Sequence, residues 1–527
     1  MLLVSYGFAA FLILLIVIYY VIPEKLQWMA LLAASYLFYA CGGIGYLLYP
    51  LITTLTTWFL AKRIGETTRQ AKEYVKEKGL DRNQKKEYNG QVKKRQRRLM
   101  QTGLLLNFGV LAVLKYTNFL LMNVNGILHA AGSQGEFTPV DWILPLGISY
   151  YTFQSMGYLI DVYQRKCEPE KNLAKFALFV SFFPQVTAGP ICRFEQMKEE
   201  LFSPHAFDGR KVKLGAERML WGYFKKLVIA DRLGPAVAII TGAPGIYDGT
   251  YALLGMIGYT IWLYADFSGG MDLVIGVGEI LGVTLPENFD HPFSSRSLAE
   301  FWRRWHMTLM QWFREYIFFP VSTSRFSRRI ADGTGQLLGK KTGNKAPVYI
   351  GSIAVWLITG IWHGASWQFI TWGMANCIVM LISQELIGHY RKFHDRFAFS
   401  NKPWYQYVQN IRTSLLFSFL LMFEYYPLPV VFSMLGSMVT DFRISQLQDG
   451  RFMQLGLSGA DWIVLAAGIG GMAVVSSLQK NGSIREMIEK KPWMFRYLIW
   501  FGLFMLVLLT GVYGRGYDAS QFIYNQF

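Results

Sequence analysis

Apolar runs long enough to cross a bilayer recur along the chain, and the polar segments between them are rich in Lys and Arg. A hydrocarbon core takes roughly 20 apolar residues of helix. Residues 4–22 form the first run; no basic segment precedes it, and Pro23-Glu24-Lys25 follows without a small-residue cleavage pattern. A retained helix is therefore expected rather than a signal peptide. Residues 28–41 and 46–61 read as a hairpin turning at Gly42-Gly43, and further apolar helices are expected over 103–122, 144–166, 251–279, 376–387, 413–438, 462–475 and 497–512, with another beginning at 348.

Two runs are interrupted. Pro184, Gly189 and Pro190 break 176–194, which predicts a re-entrant element or a kinked span, because broken helix survives in a membrane only where protein or a cavity surrounds it. Lys225-Lys226 and Asp231-Arg232 break 216–242, which reads as an interfacial or tilted helix. The pattern as a whole predicts an all-α, polytopic integral membrane bundle of about 10–12 spans with re-entrant or broken helices.

Composition agrees: 527 residues, 52% hydrophobic and 16% aromatic. The net charge of +17 would point to nucleic acid in a soluble chain, but here the cations lie between membrane segments and set topology instead. Residues 62–98 hold fourteen Lys and Arg against five acids and read as a cytoplasmic loop that touches anionic lipid. Residues 123–141 have no Lys or Arg and carry Glu136 and Asp141, so they belong outside. Three crossings before the basic segment then place the N-terminus outside, and the charge count places the C-terminus there too. The four cysteines form no CxxC pair, so neither a disulfide framework nor a metal site is indicated.

Two histidines stand in apolar sequence, where an ionisable group is by default a hypothesis about function. On a single helix Trp302, His306, Met310 and Phe313 share one face, while Arg304, Thr308, Gln311 and Glu315 share a polar one. His306 alone fits a hydrogen-bonded core residue. His363 lies in GIWHGASW at a glycine break, where a neutral imidazole is suited to take a proton from a hydroxyl attacking an acyl carbon. Asp266 and Asp272 are expected to face the bundle interior and pair with an arginine such as Arg193 or Arg303.

LPLGISYYTFQSMGYLIDVY, FFPQVTAGPICRF, DFSGGMDLVIGVGEILGVTLPENFDHPF, FWRRWHMTLMQWFREYIFFP and GIWHGASWQFITWG occur in this order. Together they resemble the membrane-bound O-acyltransferase family in its bacterial alginate O-acetyltransferase branch. The resemblance implies one membrane domain in which 1–61 are N-terminal helices, 62–99 a basic loop, 144–373 the core, 374–513 C-terminal helices and 514–527 an aromatic tail. It also implies a central tunnel and transfer of an acyl group to a hydroxyl of an extracellular polysaccharide from a bacterial cytoplasmic membrane. His363 matches the family's catalytic histidine and His306 its supporting one. Trp302, Arg303, Arg304, Trp305, Trp362, Asp266 and Asp272 are the residues expected to line the donor site or tunnel.

The implied donor is acetyl-CoA or another acyl thioester, used as substrate with no bound cofactor. Basic loops would attract its phosphates, although no Gly-rich phosphate cradle is present. An extracellular partner resembling SGNH hydrolases is implied for the final transfer. At the C-terminus Phe522, Ile523, Tyr524 and Phe527 read either as a packed tail or, by the resemblance, as one whose Tyr524 phenol accepts the acyl group. D-alanyl transfer to teichoic acid is the alternative within enzymes. A polysaccharide or lipid transporter would show an internal repeat, and none is evident; a non-catalytic scaffold would not require the two histidines.

Overall fold

The computed structural model describes residues 2–141, 144–514 and 517, without the side chains of 187 and 188. Phe522, Ile523, Tyr524 and Phe527 of the aromatic tail lie outside the described residues. Among the described residues the regular structure is helical, and the one extended pairing is an antiparallel bridge between Phe289 and Trp305. Five helices are long and apolar enough to cross a membrane, or six if the pair Trp367–Glu385 and Ile387–Arg396, bent by 51°, counts as one span. Tyr6–Val21 and Leu428–Thr440 are shorter apolar helices. The protein is thus an all-α, multi-pass membrane protein.

The chain divides into two compact units, residues 1–212 with 277–285, and residues 213–276 with 286–527. In the first, Leu48–Glu77 and Arg82–Ala130 form a long helical hairpin. The Asp81 carboxylate accepts from the backbone N–H of Asn83 and Gln84, and the Gln84 side chain accepts from the Asp81 N–H, so the turn is closed by a reciprocal cap. The basic segment 62–98 is therefore mostly helix rather than loop. Helix propensity explains the difference, since Lys, Arg, Gln and Glu are good helix formers and charge pattern alone does not separate a loop from a solvated helix. The break predicted near Pro184 is present. Helix Leu173–Ser181 stops at Phe182, helix Phe183–Ala188 follows with Pro184 in its first turn, and Gly189 is extended. Phe176, Phe179, Phe182 and Phe183 are fully buried, so protein encloses the break.

In the second unit Gly209–Tyr223 passes through a π-helical segment, Phe224–Ala230, into Asp231–Gly242. The interruption at Lys225-Lys226 coincides with this π-helical segment, all of which is buried in protein. Lys226 is completely buried, with its ammonium 2.7 Å from Asp231 and 2.6 Å from Asp266. Lys225 donates to Ser268 at 2.9 Å and lies 2.6 Å from Asp272. Arg218 reaches Asp272 at 3.0 Å and holds Glu287 with two bonds of 2.6 Å. The observed partners of Asp266 and Asp272 are thus Lys226, Lys225 and Arg218, where the sequence suggested Arg193 or Arg303. Removing one partner of a buried pair leaves an uncompensated charge, so this network tolerates little editing. Close backbone approach makes it reachable: a Cβ on Gly222 would sit 2.8 Å from the Gly269 oxygen on helix Thr250–Ile280.

Candidate active site

The segment carrying His306 is not one continuous helix. Leu298–Arg304 ends at Trp305, and Met307–Phe313 restarts with His306 as its N-cap in the left-handed region at φ 47°. Backbone pairing with residues 288–290 accompanies the break. Asp290 N–H donates to the Arg304 carbonyl at 3.0 Å, Met307 N–H to the Asn288 carbonyl at 3.0 Å, and Phe289 bridges Trp305. A histidine with positive φ costs about 1–3 kcal/mol, a strain that surrounding structure must hold in place. The helical face read from the sequence is corrected here, because helical periodicity cannot register a local chain reversal.

Asn288 also sets the ring state of His306. Its amide oxygen accepts from the Thr308 backbone N–H at 3.0 Å, a fixed donor, and lies 3.0 Å from the Thr308 hydroxyl. The same oxygen is 3.3 Å from His306 Nδ1. Two acceptors cannot bond, so Nδ1 carries a proton, and Nε2 is the lone-pair nitrogen whenever the ring is neutral. The imidazole is buried, edge-on to Phe267 at 4.9 Å and 6.0 Å from the Trp362 ring.

His363 is the last residue of helix Ala346–His363, and Gly364 is extended after it. Glycine is required by close approach: a Cβ at Gly364 would lie 2.0 Å from the Phe369 ring, and one at Gly360 2.5 Å from the Phe369 carbonyl. The break expected from GIWHG is therefore present. The His363 ring packs 4.6 Å from Trp372 and 5.0 Å from Trp362, and its Nδ1 is 3.7 Å from Glu424 Oε1.

His306 and His363 line one narrow cavity of about 20 Å³, together with Trp302, Trp305, Trp372, Phe417 and Glu424. That volume admits a single water-sized group. Trp302 donates from its indole to Asn376 at 3.2 Å and packs edge-on against Trp356 and Trp372. Trp362 contacts both histidine rings. The other expected residues lie elsewhere. Arg303 is exposed, Arg304 pairs with Glu300 at 2.8 Å, and Asp266 belongs to the Lys226 cluster. Asp272 lines a second, larger cavity of about 600 Å³ with Arg218, Lys225, Tyr264, Asn288 and Trp500.

Glu424 and Asn288 were missed by the sequence reading. Glu424 did leave a signal, as a lone acid in LLFSFLLMFEYY, of the kind already singled out at Asp266 and Asp272. Asn288 left none, since an uncharged amide in a loop is unremarkable until its partners are known.

A probable alginate O-acetylase, AlgI, of Azotobacter vinelandii is 34% identical over 380 residues, which are 71% of this chain and 67% of that protein. The chain belongs to the membrane-bound O-acyltransferase family. The family model itself matches residues 170–331, a window that contains His306 but not His363. A peptidoglycan O-acetyltransferase of Helicobacter pylori is 30% identical over 390 residues, 69% of this chain and 66% of that one. A teichoic acid D-alanyltransferase of Bacillus subtilis is 29% identical over 256 residues, 47% and 60% of the two chains. The matched stretch thus spans about two thirds of the O-acetylating relatives. Membership in this family makes the protein a membrane O-acyltransferase.

Proposed function

We propose that this protein moves an acetyl group from a cytoplasmic thioester, acetyl-CoA in the simplest form, to a hydroxyl destined for an extracytoplasmic polysaccharide, with His363 as general base. The convergence of His363, His306 and Glu424 on one aromatic, water-poor cavity carries the proposal. In the reaction the acceptor O–H gives its proton to His363 Nε2 while its oxygen bonds to the acyl carbon. The C–S bond breaks, and the proton passes to the departing sulfur. His306, held at Nδ1 by Asn288, has the part of orienting the donor.

The larger cavity suits the donor arm, because it has room, mixed polar and aromatic walls and a border with the His306 segment through Asn288 and Met307. Tyr524 is the proposed acyl carrier of the tail, delivering to an extracytoplasmic partner resembling SGNH hydrolases. The bacterial cytoplasmic membrane is the proposed location, with both termini outside. Similarity to D-alanyltransferases supports a second reading, in which the acyl group is D-alanyl and comes from a carrier protein.

Intact and peptide mass spectrometry after incubation with labelled acetyl-CoA tests these readings. Label on the C-terminal peptide, lost in both His363→Ala and Tyr524→Phe, is the expected result. Transfer without retained label removes the tyrosine step alone. Failure to use acetyl-CoA, with polymer and partner supplied, overturns acetyl transfer; use of a D-alanyl carrier instead establishes the second reading.

A further inference from the structure

The two histidines share a cavity but have different supports. His306 Nδ1 faces a neutral amide, Asn288, whereas His363 Nδ1 lies 3.7 Å from a carboxyl oxygen of Glu424 on helix Pro403–Tyr425. Glu424 is the one acid lining this cavity among the described residues, and its side chain is only 5% exposed. An acid set this deep in an apolar helix is costly unless it serves a partner.

We infer that Glu424 is the positioning residue of His363: its carboxylate takes the Nδ1–H, fixes the tautomer whose Nε2 is the base, and stabilises the imidazolium while that nitrogen holds the acceptor's proton. The inference rests on the assignment of His363 as base. Glu424 neither gains nor loses a proton; the proton goes from hydroxyl oxygen to Nε2 and on to sulfur. The separation is longer than a hydrogen bond, as is common before substrate tightens a catalytic contact. The asymmetry also explains why the base is His363: of the two rings, it is the one whose positive charge forms beside a carboxylate.

The test uses the full chain in lipid nanodiscs turning over an acetyl thioester. Glu424→Gln keeps the shape but lets an amide donor face Nδ1, and it is expected to lower kcat about 10²-fold or more with KM within about threefold. Glu424→Asp keeps the charge and is expected to lose about tenfold. The chain has seven histidines, few enough for ¹⁵N-histidine spectra in which His363 is identified by its absence from His363→Gln. Wild-type His363 should be protonated on Nδ1, and Glu424→Gln should move that signal. Unchanged kcat together with an unchanged His363 signal overturns the inference. Should Glu424→Gln fail to fold, Glu424→Asp decides: a kcat loss at constant KM supports the role, and unchanged kcat overturns it. If wild type turns over no acetyl thioester, the assignment of His363 as base fails, while the spectra still decide whether Glu424 holds the ring.

Discussion

The histidine cavity and the wider cavity lined by Asp272 differ in size and in wall chemistry. One is about 20 Å³, walled by tryptophan and phenylalanine, with two imidazoles and one carboxyl. The other is about 600 Å³ and is bordered by the Arg218, Lys225, Asp272 and Glu287 network. A proton transfer gains from a small dry site, where fixed groups act at low dielectric and no water needs to reorganise. A flexible thioester arm needs room and satisfied polar walls. The proposed function puts chemistry in the narrow cavity and donor binding in the wide one, and Asn288 lines the wide cavity while contacting His306.

Variants on each side can break this division. The largest expected effect is His363→Ala, which should reduce acetyl transfer about 10³-fold while leaving thermal unfolding in detergent unchanged, since the cost falls on the transition state. Loss of folding instead would return this residue to a packing role. Asp266→Ala should act in the opposite way, lowering stability by about 3–5 kcal/mol because Lys226 loses one of its two carboxylates, as read from the unfolding midpoint. Asn288→Ala should cost about 1–3 kcal/mol through the unpaired Thr308 N–H and lower transfer as His306 loses its fixed tautomer. Unchanged turnover would uncouple His306 from the reaction. The smallest effect is expected from Val475→Trp in the wide cavity, which should raise KM for the donor about tenfold, or about 1.4 kcal/mol, with kcat retained. An effect on kcat alone would place the donor elsewhere.

Much of this was legible before any coordinates. Apolar runs and basic spacers gave the helical membrane class, and the glycines around His363 gave the helix end on which it sits. The break at Pro184 was visible because proline lacks the donor that helix requires. The break at His306 was not, since it is paired with residues 288–290 through one isolated bridge and two backbone hydrogen bonds that depend on tertiary contact. Glu424 was visible as a lone acid in an apolar run, but its nearness to His363, distant along the chain, was not. Charge counting identified Lys225 and Lys226 as cations, but composition cannot reveal that Asp266 and Asp272 await them on the next helix.

Those lysines have a consequence for biogenesis. Each would oppose entry into lipid by about 2.5–3.5 kcal/mol at a helix centre, and the aspartates on Thr250–Ile280 would do the same. Were both segments to enter lipid, pairing of Lys226 with Asp266 and of Lys225 with Asp272 would offset those costs between them, so joint entry would be cheaper than entry one at a time.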